Sequence, residues 1–116
     1  MPSVDDVRQI ALALPEATEQ VTWGTDITFR VRDRIFAITA PEATGVSIKA
    51  GLDDQAVLVS SDPETFRPSA YTGRFGWVSV DLLRVDSAML EQLLRSAWRR
   101  TAGKRLAATL DDGPAR

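Results

Sequence analysis

Apolar positions in the first fifteen residues recur at helical spacing: Val4, Val7, Ala11 and Leu14, with Ile10 beside them. Residues three and four apart share a helix face, so this stretch predicts a helix with one buried stripe. Ser3 stands at the cap position with an acid, Asp6, three residues on, close to a capping box, and Pro15 ends the run. From Thr18 the period shortens to two. "EQVTW" is a short β-rich run leading to a turn at Gly24. "ITFRVR" then alternates, with Ile27, Phe29 and Val31 on one face and Thr28, Arg30 and Arg32 on the other. "RDR" reads as a tight charged turn, "RIFAITA" as the returning strand, and "TGVSIKA" as another, with Val46 and Ile48 inward and Ser47 and Lys49 outward. These runs predict an antiparallel meander with one packed face.

Helical spacing returns in "LDDQAVLVSS", where Asp53 is a candidate cap and Ala56, Val57 and Val59 or Leu58 form the inward side. "DPETFRPS" is a turn-rich connector, with Pro63 suited to opening a one-turn helix and Pro68 stopping it. In "YTGRFGWVSVDLL" two glycines, Gly73 and Gly76, frame a turn before an alternating strand. A loop that cradles phosphate feeds a helix N-terminus; this one feeds a strand. Asp86 or Ser87 caps the last long helix, whose stripe is Met89, Leu90, Leu93, Leu94, Ala97 and Trp98. Gly103 is its C-terminal cap or a kink. The expected architecture is α+β, a two-layer α/β sandwich of order α-β(3)-α-β(2)-α with an antiparallel sheet. It forms a single domain over 1–110, followed by a frayed tail, 111–116.

Composition narrows the chemistry. The chain has 116 residues, 44% hydrophobic and 26% charged, with neither Cys nor His. Without them, disulfides, thiolate sites, Ser-His and Cys-His nucleophiles and ordinary zinc sites are excluded. The expectation is a non-catalytic protein with no cofactor and no metal. No apolar run approaches the ~18 residues that a membrane span needs, and the acidic N-terminal segment does not read as a signal peptide. A cytoplasmic location is therefore expected. Net charge is −2 and the isoelectric point is near 5.1, which counts against nucleic-acid binding. Charge is nonetheless polarised: residues 95–110 hold five cations (Arg95, Arg99, Arg100, Lys104 and Arg105) and no acid.

Four segments in this order and spacing resemble a known group: "ALPEATE" closing the first helix, "TWGTDITFRVRDRIFAI", "YTGRFGWVSVDL", and "LLRSAWRRTAGKRL" in the last helix. Over roughly residues 3–106 the chain is similar to the MmcQ/YjbR-like family of small bacterial domains of unknown function. The resemblance implies a secretion-chaperone-like α/β sandwich and a DNA-binding or regulatory role, with no catalytic residues to carry over.

Two constellations could serve such a role. Arg30, Arg32 and Arg34, with Lys49, would line the polar face of the meander as a phosphate-tracking row. The plainer reading is a solvated face whose arginines discourage edge pairing. Arg99, Arg100 and Lys104 end the last helix, where cations also simply complement its dipole. Arg74 and Trp77 are the loop residues placed to touch a ligand, with Trp77 able to stack on bases or to close the sheet's end. The alternative function is a protein-interaction or chaperone-like domain, dimeric or with a protein partner, that does not bind nucleic acid. Periodicity does not reveal whether the two basic clusters share a face.

Overall fold

The computed structural model describes the backbone of residues 2–112 and the side chains of residues 2–110. The first helix, α1 (Val4–Leu12), carries the capping box in full. Ser3 Oγ accepts from the Asp6 amide, and the Asp6 carboxylate accepts from the Ser3 amide. Its buried stripe is Val4, Val7 and Ala11, extended by Leu14 beyond its end.

Six strands then build one antiparallel sheet: β1 (Ala17–Thr22), β2 (Asp26–Val31), β3 (Arg34–Thr39), β4 (Gly45–Ile48), β5 (Phe66–Pro68) and β6 (Val78–Asp81). Their order across the sheet is β1-β2-β3-β4-β6-β5. Four strands, not three, precede the next helix. The β1 segment has few apolar positions to announce it, but it pairs with β2 along its whole length, from Ala17 with Val31 to Thr22 with Asp26. The β2–β3 hairpin closes through Arg32 and Asp33, both at positive φ (51° and 66°), as a two-residue turn matched to strand twist requires. A bulge between Phe29 and Arg30 shifts the β3 register. It lets the adjacent Phe36 and Ala37 both be buried.

Helices cover one face. α3 (Ser87–Ala102) packs on β2, β3 and β4 and against α1. Asp86 caps it by accepting from the Met89 amide. Between α3 and the sheet lie Leu90, Leu94, Ala97 and Trp98, facing Ile27, Phe29, Val31, Val46, Ile48, Val78 and Val80, all buried. Trp98 satisfies its one polar atom by donating to the Pro15 carbonyl at 2.9 Å. At Gly103 (φ 87°, ψ 161°) the expected single last helix breaks into α3 and α4 (Lys104–Asp112). That backbone conformation belongs essentially to glycine. Of the tail expected at 111–116, residues 111 and 112 belong to α4, and residues 113–116 lie outside the described residues.

The remaining helix, α2 (Leu52–Ser61), departs most from expectation. Gly51, not Asp53, occupies its N-cap, and the helix has no fully buried residue. Leu52 and Val57 are 57% and 66% exposed. α2 lies against β5 and is tied to the β5–β6 connection by Gln55, whose amide donates to the Gly73 and Trp77 carbonyls at 2.8 and 2.7 Å.

Candidate binding groove between two helices

The nine residues singled out from sequence do not form one surface. Arg30 lies on the open face of the sheet and is held there by hydroxyls, Thr28 Oγ1 at 3.1 Å and Thr22 Oγ1 at 3.3 Å. Thr28 is fully buried there although it points away from the helices. Arg32 is a turn residue and pairs with Glu16 at 3.2 Å. That hydrogen bond, with the attraction of the carboxylate, raises the guanidinium pKa further above its ordinary value. Arg34 is exposed where β3 begins. The expected row Arg30–Arg32–Arg34–Lys49 is therefore broken, because the hairpin turn interposes between the first and third arginines.

The β5–β6 connection is a 3₁₀ turn over Thr72–Phe75. Arg74 is exposed and sits 4.8 Å above the Phe75 ring, a weakly favourable contact in water. Trp77 is half-buried just inside. Tyr71, which precedes the turn, is 93% exposed, with φ 64° and ψ −52°. The Thr72 amide donates back to the Ala70 carbonyl at 2.6 Å. This is the strained form of γ-turn, which persists only where its surroundings hold it. Ser69 anchors one side through Ser47 (2.5 Å) and Ser79 (3.1 Å) hydroxyls. Gly76 seals the other against α2, where an added Cβ would come within 2.7 Å of the Ala50 carbonyl oxygen. Lys104 is exposed at the start of α4.

Lys49, Arg99 and Arg100 do come together, in a groove of about 490 Å³ between α2 and α3. Its floor is apolar: Ala50, Val57, Leu58, Met89 and Leu93. Among the described lining residues the cations are Lys49, Arg95, Arg99 and Arg100, and the acid is Asp54. Asp54 pairs with Arg100 at 2.7 Å, on the exposed side of the groove. Lys49 reaches this groove because β4 ends at Ile48 and the chain turns there toward α2. The two basic clusters of the sequence thus meet in part. Strand alternation assigned Lys49 to the open face with the arginines, and this is where that assignment fails. The apolar floor is the feature sequence reasoning missed, because the spacing of Ala56, Val57 and Val59 or Leu58 predicts one inward side for this helix. The apolar strip continues past the groove, where Val57 also lines a shallower depression with Ala56, Ser60 and Ser61.

Among the described residues, no group of three or more Asp or Glu is placed to hold a metal ion, and no helix is long and apolar enough to cross a membrane. The groove offers charge together with apolar area.

The family model named YjbR matches residues 12–100. The crystal structure of Deinococcus radiodurans protein DR2400, described as a DUF419 domain, superposes with a TM-score of 0.82 at 25% sequence identity. The match covers 90% of this chain and 82% of that one. No curated protein matches the chain.

Proposed function

The chain belongs to the YjbR family, and from its groove we propose a non-catalytic protein-interaction domain that seats an acidic amphipathic helix between α2 and α3. The observation that carries this reading is an apolar floor rimmed by Lys49, Arg95, Arg99 and Arg100. An amphipathic helix laid in such a groove buries its apolar face on Val57, Leu58, Met89 and Leu93. Its acids meet the cationic rim, which sets orientation and association rate more than affinity. The elongated strip along α2 suits a peptide better than a compact small molecule.

A second reading, nucleic-acid binding at the same rim, rests on the convergence of Lys49, Arg99 and Arg100. Several arginines elsewhere are already engaged within the chain, as in Arg32–Glu16, Arg84–Glu64 and Arg8–Glu19. With a net charge of −2, little is left to track a phosphate backbone. The apolar floor would also gain nothing from phosphates.

The test is fluorescence anisotropy with a labelled helical peptide of about 16 residues, leucines on one face and glutamates on the other, beside random single- and double-stranded DNA. The expected outcome is peptide affinity in the micromolar range that falls about tenfold for Val57→Asp and for Lys49→Glu. Both positions lie outside the core, so neither substitution should impair folding. DNA binding at low salt with no peptide binding would replace this reading by the second.

A further inference from the structure

The two edges of the sheet are built differently. The β5 edge is three residues long, contains Pro68 and the exposed Arg67, and lies beside α2. Proline, a charge and a short edge are the devices by which proteins block strand addition. The β1 edge has neither the proline nor the short length. It is six residues, "ATEQVT", without Pro, Lys or Arg, and its pairing with β2 runs without a bulge. Its one charge, Glu19, is neutralised by Arg8 at 2.7 Å. Thr18, Gln20 and Val21 are exposed along it. Beyond it, Trp23 is 67% exposed and held at φ 50°, a backbone conformation a bulky residue adopts only at a cost.

We propose that β1 pairs antiparallel with β1 of a second copy of this chain, about a two-fold axis at Gln20, joining two sheets into one twelve-stranded sheet. The strand's own sequence selects that occupant and that register. Centred on Gln20, Thr18 stands opposite Thr22 of the second copy, a favourable cross-strand pair, and the two Gln20 amides meet. Glu19 stands opposite Val21, so no like charges face each other; a register centred on Glu19 would oppose two carboxylates. Trp23, in the turn just past the strand's last residue, adds exposed apolar surface at each end of the joined strands. Because the patch is self-complementary, the assembly closes as a dimer and does not propagate. The groove lies away from this edge, since α2 packs at the β5 side, so this interface is independent of the function proposed above.

The chain has no cysteine, which makes the test direct. In Gln20→Cys the two thiols would face each other across the axis, on Cα atoms about 4.5–5.5 Å apart, within disulfide range. Mild oxidation should convert this variant to a covalent dimer, while Ser60→Cys on the exposed side of α2 should stay monomeric. Sedimentation of the unmodified chain should show a monomer–dimer equilibrium with a Kd on the order of 10–100 μM, as a small interface gives. Val21→Glu, at an exposed site, sets a second carboxylate opposite Glu19 of the other copy on both sides of the axis and should weaken it at least about tenfold. Three results would overturn the proposal: a monomer at every concentration with no cross-link, a dimer that Val21→Glu leaves intact, or equal cross-linking of the two cysteine variants.

Discussion

Gly76 shows how much one missing side chain decides. Its φ is 98° and its Cβ would press on the Ala50 carbonyl at 2.7 Å and on the Gly51 and Leu52 backbone. Backbone atoms cannot step aside as a flexible side chain can. Gly24 has a similar φ of 85° but nothing within 4 Å of its Cβ. Gly76→Ala is expected to cost at least about 2 kcal/mol of stability, and Gly24→Ala about 1 kcal/mol, the conformational cost alone. Urea denaturation of both variants measures the difference; equal losses would mean that the α2 contact at Gly76 carries no weight. From "YTGRFGW" the need for glycine was legible, as a turn. The contact that makes Gly76 irreplaceable was not, because residues 50–52 stand far from it in sequence.

Among the elements, α2 is held at its ends more than along its length. Its C-cap, Asp62, accepts from Thr65 Oγ1 at 2.6 Å, which joins the helix to β5. This hydrogen bond, foremost among the causes, holds the Asp62 carboxyl below its ordinary pKa of 3.8. The folded-state value is depressed, so the stabilisation is fully present above the unfolded value and is lost as pH falls through the folded one. Thr65→Val should therefore be less stable than the parent at neutral pH, with the gap closing as acid protonates Asp62. Denaturation series from neutral to about pH 2 will show this; a gap independent of pH would assign the loss to packing. Element type was the most legible scale in the sequence. Alternation of apolar and polar positions in β2 and the Val4–Val7–Ala11 spacing in α1 each reflect one apolar face turned to the core. β1 was less legible, since an edge strand half open to water carries a weak apolar pattern.

At the scale of the whole molecule, charge and apolar area are distributed over separate surfaces. The cationic groove opens between α2 and α3, and the neutral β1 edge lies on the other side of the sheet from α2. Pairing at β1 leaves each groove open, so the dimer should take one acidic helical peptide per chain with independent, equal affinities. Calorimetric titration above and below the dimerisation range checks this; half-site occupancy in the dimer would mean that the two surfaces interfere. Most ion pairs seen here are solvent-exposed, and such pairs contribute little individually. Their importance lies in occupying arginines that a count of charges would treat as available.

By itself the sequence determined the class of the molecule: helices and strands in order, an antiparallel sheet with one buried face, and chemistry without Cys or His. These follow from local periodicity and composition, which need no knowledge of neighbours. Only the tertiary structure decided where the charges go. Alternation put Lys49 in a row with Arg30 and Arg34. The end of β4 and the crossing of α3 put it beside Arg99 and Arg100 instead. The packing of α2 likewise left Val57 and Leu58 as a groove floor when their spacing suited a core. A side chain's partners depend on elements distant in sequence, and for this chain those elements made both candidate binding surfaces.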